Sequence, residues 1–134
     1  MLESLLLAGL VVAHGLVHIG FVSPRPPATA EGPRWPFEVG RSWLIRAVGG
    51  QPEVGRVLAL TMVPLIVAAF ALGAIAALGV APALWAPSIA IGSIASLVLL
   101  IVFFDPWLVV GIGIDVVLLW ATVVGSVPSS SRLA

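Results

Sequence analysis

The chain has 134 residues, of which 60% are hydrophobic and 9% charged, and its formal net charge is zero. Soluble proteins carry roughly 25% charged residues, so six arginines and six acids cannot supply the polar surface an ordinary globular domain needs. The neutral balance gives no case for nucleic acid as a partner, and the absence of cysteine excludes disulfides, thiolate metal sites and cysteine nucleophiles.

Taken in chain order, the first apolar segment covers residues 4–22. It has no basic leader, carries Glu3, and is followed by no small-residue cleavage site, so it reads as a retained membrane helix rather than a signal peptide. Residues 23–53 form a connection rich in proline and arginine. Pro24, Pro26, Pro27, Pro33 and Pro36 forbid a helix at its start. From Phe37 to Val48 the pattern changes: Phe37, Trp43, Leu44, Ala47 and Val48 can share one face, as in a short helix lying in the membrane interface. An irregular loop with one aromatic anchor fits equally well. Gly49-Gly50 ends this stretch, and Pro52 and Glu53 suit the first turn of the next helix.

The remaining apolar segments are predicted near residues 54–80, 83–104 and 107–127. Each approaches the roughly 20 residues needed to cross a ~30 Å hydrocarbon core. Their uniform apolarity favours helices over the alternating strands of a membrane barrel. Pro64 lies inside the second segment, where a packing kink is the favoured reading over a hinge. The links at residues 79–82 and at Asp105-Pro106 are tight, so the last three helices should form an antiparallel series. The fold class is therefore all-α: a polytopic, four-helix transmembrane bundle in one domain spanning residues 1–134.

Arg25, Arg34, Arg41, Arg46 and Arg56 lie in or beside the long connection, whereas the other side carries only Arg132. The positive-inside rule then places the connection in the cytoplasm and both termini outside. The tryptophans, Trp35, Trp43, Trp85, Trp107 and Trp120, fall mostly near helix ends, as an aromatic belt would, with Trp120 deeper than the rest.

The titratable residues well inside the apolar segments are His14, His18 and Asp115. The histidines, four apart, share a helix face. His14 lies eight residues from the loop-side end of the first helix, and Asp115 eight residues from Trp107, so both sit roughly 12 Å deep at 1.5 Å per residue. An ionised Asp at that depth costs several kcal/mol unless paired. Asp115 is thus expected to face the bundle interior and meet His14 or His18, with Thr61, Ser93, Ser96 and Thr122 as weaker partners. Three readings stay open: a structural helix-to-helix bond, a divalent-metal site built from His14, His18 and Asp115, and a proton relay or ion path. Haem fits poorly, because two histidines on one helix face cannot approach opposite sides of a porphyrin.

Small residues recur at packing distance: Ala69, Gly73 and Ala77; Ser88, Gly92 and Ser96; and Gly111 beside Asp115. Such stripes let backbones approach in lipid, either within the chain or between copies in a homo-oligomer or larger membrane complex. No phosphate loop, nucleophile elbow or zinc-protease motif is present.

The stretch Ala13-His14-Gly15-Leu16-Val17-His18-Ile19-Gly20-Phe21 resembles the opening helix of a group of small bacterial four-helix membrane proteins. Phe103-Phe104-Asp105-Pro106-Trp107 and Gly111-Ile112-Gly113-Ile114-Asp115 are similar to their last junction and Gly-rich final helix. The resemblance covers these patches and implies topology rather than an activity. The functional expectation is an accessory or assembly subunit of a membrane complex; the alternative is a metal-binding or proton-handling protein using His14, His18 and Asp115. An enzyme is the least favoured class.

Overall fold

In a computed structural model, the structure describes residues 1–25, 27 and 35–124. Among these residues the regular elements are all helical. Four stretches are long and apolar enough to cross a membrane: Leu2–Phe21, Pro52–Ala77, Pro82–Val102 and Pro106–Val123. Helix α1 is Leu2–Val17, α2 is Trp43–Ala47, α3 is Pro52–Ala77, α4 is Trp85–Val102 and α5 is Val109–Val123.

The element bounds follow local chemistry. Pro52 opens α3 in the first turn, where its missing N–H costs nothing, and Glu53 sits at the positive end of the helix dipole. Gly79 closes the same helix with a left-handed φ of 84°, so α3 stops at Ala77, short of the expected residue 80. Pro64 lies within α3 without ending it. The first segment also differs from expectation. Its α geometry stops at Val17, and His18–Phe21 continues as a 3₁₀ turn. The expected end of the fourth span, residues 125–127, lies outside the described residues.

The order of packing is α1 on α3, α3 on α4, and α4 on α5. Tight links enforce the last two contacts. The centre of the bundle is Phe70 of α3, which is wholly buried. It fits there because two neighbours lack side chains. A Cβ on Gly15 of α1 would lie 3.0 Å from the Phe70 Cβ, and one on Gly92 of α4 would lie 3.2 Å from its ring. Gly73 likewise admits the Ile89 side chain. The stripes Ala69, Gly73, Ala77 and Ser88, Gly92, Ser96 are buried within this chain.

The interfacial segment departs from its predicted face. The chain makes a 3₁₀ turn at Val39–Arg41, then Ser42 caps α2 by accepting the Ile45 N–H. The buried side chain is Ile45, whereas Val48 is 74% exposed. The reason is at the far end of α4. The Ser42 hydroxyl donates to the Val102 carbonyl at 2.7 Å, and the Trp43 indole N–H donates to the Ile101 carbonyl at 2.7 Å. These carbonyls belong to the last turn of α4, which has no helical donors of its own. Pinned this way, α2 turns Ile45 inward. The belt expectation also fails at Trp85, which is enclosed by the protein although it opens α4; Trp43, Trp107 and Trp120 are exposed.

Candidate functional site: a buried imidazole, hydroxyl and carboxyl chain

His14 leaves α1 on its inner face, His18 opens the 3₁₀ turn that continues it, Ser96 comes from α4 and Asp115 from α5, and all four are buried. His14 Nε2 lies 2.9 Å from Asp115 Oδ1. The Ser96 hydroxyl donates to Asp115 Oδ2. His18 Nε2 lies 2.7 Å from the same hydroxyl oxygen, and its Nδ1 lies 3.0 Å from the His14 carbonyl. Both carboxyl oxygens, three of the four imidazole nitrogens and one hydroxyl therefore form one connected chain. Sequence spacing brings His14 and Asp115 to one level, and the structure joins them.

The local fold supplies this geometry. Ser96 lies nine residues before Asp105 and Asp115 ten residues after it. An antiparallel hairpin folded at Asp105-Pro106 must bring them level. Asp105 itself accepts the Trp107 N–H at 3.1 Å, setting the turn. Beside the cluster, His14 meets the Phe70 ring edge-on with centroids 5.2 Å apart. Above it, on the loop side, Phe21 packs edge-on against Phe37 at 5.1 Å and tilted against Phe103 at 5.5 Å. This aromatic roof requires Gly20, since a Cβ there would come within 2.7 Å of Phe37.

The seam between α1 and α5 is different. A cavity of about 510 Å³ opens there, walled mainly by Val17, Trp35, Phe37, Trp107, Leu108 and Ile114, with His14 and His18 at its inner end. The His14–Asp115 hydrogen bond crosses this seam. Gly111 faces this seam, where a Cβ would lie 3.1 Å from a Leu100 methyl and in ordinary contact, 3.7 Å, with His14 Cε1.

The three residues considered for a metal do gather, but their donor atoms point at one another rather than at a common centre. His14 Nε2 faces Asp115, and both nitrogens of His18 are engaged by Ser96 and a backbone carbonyl. Among the described residues no three His, Cys, Asp or Glu side chains are placed to hold a metal ion. Ser96 is the member that sequence reasoning undervalued, as a packing residue and weak partner. Gly15 stands in the His-Gly-Leu-Val-His motif, but its partner Phe70, against which it packs, carries no signal in the sequence.

Comparison with protein-family models, curated proteins and solved structures finds no match to this chain.

Proposed function

We propose that this is a small integral membrane protein that takes up and holds a proton within the membrane, at His18, Ser96, Asp115 and His14. The observation that carries this reading is the unbroken hydrogen-bond chain among four buried polar side chains.

The donor and acceptor roles are constrained. A carbonyl only accepts, so His18 Nδ1 must carry a proton. A hydroxyl has one proton, so Ser96 donates either to Asp115 or to His18. In the first arrangement Ser96 donates to the Asp115 carboxylate and accepts from His18 Nε2–H, which makes His18 an imidazolium. In the second, Asp115 is a neutral acid donating through Oδ2 to Ser96, and Ser96 donates to a neutral His18. The two hold the same stored proton and differ only by the paired shift of two protons, each along one hydrogen bond; release of that proton leaves Asp115 ionised, His18 neutral and one hydrogen bond of the chain unmade. The chain thus moves one unit of charge between α1 and α5 without any heavy atom leaving its place. In both arrangements Asp115 Oδ1 only accepts, so His14 donates through Nε2.

The chain ends at the His14 carbonyl on one side and at His14 facing the cavity on the other. This suits a proton store that exchanges through the cavity, rather than a conduit across the membrane. Infrared difference spectroscopy on the protein in lipid tests it. A protonated-carboxyl stretch lost in Asp115→Asn should titrate together with imidazole modes, and Ser96→Ala should uncouple them. An Asp115 band that does not change over the accessible pH range, or one unaffected by Ser96→Ala, would refute the reading.

For orientation we retain the loop side as cytoplasmic, supported by Arg25, Arg41, Arg46 and Arg56 near that end of the spans. A reporter fused to the C-terminus and active only in the cytoplasm would overturn it. The accessory-subunit reading draws support from α5: only 17% of its span is buried, against 56% for α4. Copurification of a stoichiometric membrane partner, lost on substituting the outward α5 residues Val116 and Val117, is its test.

A further inference from the structure

We infer that the cavity between α1 and α5 binds a lipid-borne phenol or hydroquinone, an aromatic ring bearing a hydroxyl on an apolar body, with the hydroxyl donating to Nδ1 of His14. The inference shares with the proton-store reading only the role of His14 Nε2 as donor to Asp115.

Three observations carry it. His14 is 6% exposed and lines the cavity. Its Nε2 is committed to Asp115 and its carbonyl to His18, and Nδ1 enters neither of these bonds. A neutral imidazole that donates through Nε2 keeps a lone pair on Nδ1, so the inner end of the cavity offers an acceptor awaiting a donor. In an apolar setting such a group is costly to leave unmet.

The walls define the rest of the ligand. At about 510 Å³ the space lies in the range of small-molecule sites. Trp35, Phe37 and Trp107 present aromatic surfaces, which suit a flat ring better than a flexible chain. Among the described residues no acid or arginine lines it, so a charged headgroup meets no counterpart there. Val17, Trp107 and Val110 are exposed at its rim, so a ligand with an apolar tail can arrive from the membrane and leave the tail there.

The test uses 2-decyl-1,4-hydroquinone and its dimethyl ether, which matches its ring and tail but has no hydroxyl. Binding to the full-length protein in phosphatidylcholine nanodiscs is read as saturable quenching of tryptophan fluorescence, since Trp35 and Trp107 line the site. The hydroquinone should bind about tenfold more tightly than the ether, equivalent to about 1.4 kcal/mol. His14→Phe should abolish that preference, and Ile114→Phe, which fills the cavity away from the polar chain, should weaken both probes at least tenfold. Ser96→Ala breaks the relay but leaves His14 on Asp115, so it should keep the preference. Absent saturable quenching, equal affinity for the two probes, or a preference that survives His14→Phe or vanishes in Ser96→Ala would overturn the inference. If instead the preference stands and the Asp115 infrared band does not titrate, the proton store falls alone.

Discussion

Two seams of this bundle, α3–α4 and α1–α5, are built on opposite principles. Between α3 and α4, backbones approach over Gly73 and Gly92, and Phe70 and Ile89 fill the space. Between α1 and α5, the helices stand apart, a cavity opens, and a hydrogen bond from His14 to Asp115 spans the gap. Lipid explains the division. Apolar side chains gain little by leaving hydrocarbon for a protein interior, so close packing and internal hydrogen bonds are what hold helices together. One seam uses the first, the other the second. Only the second leaves room for a guest.

Substitutions can break this comparison or sharpen it. The largest effect is expected at Gly92→Val. The added side chain meets Phe70 and the Ala69 Cβ within 3.3 Å, and overpacking of this kind costs about 1–3 kcal/mol. The unfolding midpoint in a denaturing-detergent titration should fall. An unchanged midpoint would mean that the α3–α4 seam is not close-packed.

Asp115→Ala comes next. It leaves His14 and Ser96 facing a gap, with a cost of about 1–3 kcal/mol for the stranded groups. Asp115→Asn should cost well under that, about 0.6 kcal/mol, since an amide still meets both partners and hydrogen bonds between membrane helices average near that value. Equal losses for the two variants would show that the carboxyl is not held by hydrogen bonding.

Ser42→Ala should cost about 1 kcal/mol as a lost helix cap. It should also speed hydrogen exchange locally in α2 while leaving both seams intact. At the small end stands Gly113→Ala, where an added Cβ meets nothing within 4 Å. It should shift stability by no more than about 0.5 kcal/mol, and a large loss would reveal an unrecognised contact on α5.

Much of this architecture is legible in the sequence because lipid makes the rules simple. Uninterrupted apolar length sets the spans, and Pro52, Gly79 and Asp105-Pro106 set their ends. The level shared by His14 and Asp115 follows from counting residues along straight helices. What counting does not give is rotation. Ser96 sits in a small-residue stripe that reads equally well as packing, and only the rotation of α4 against α5 turns its hydroxyl to the carboxylate. The same holds for α2. Its apolar residues admit several faces, and the choice is made by Ser42 and Trp43 reaching carbonyls of α4 about sixty residues away in sequence. The 3₁₀ turn at His18–Phe21 was also hidden, because a local change of helical pitch leaves no mark on an apolar pattern.

The depth of the His14–Asp115 pair has an electrical consequence. A site roughly 12 Å inside a hydrocarbon core ~30 Å thick lies about two-fifths of the way through the transmembrane field. A charge crossing the whole field exchanges about 2.3 kcal/mol per 100 mV, so a proton arriving at this depth exchanges about 0.9 kcal/mol. That is roughly a fivefold change in occupancy at RT of about 0.59 kcal/mol. If the pair stores a proton as proposed, energisation of the membrane alone shifts its occupancy by that factor, with no change in the acidity of either compartment.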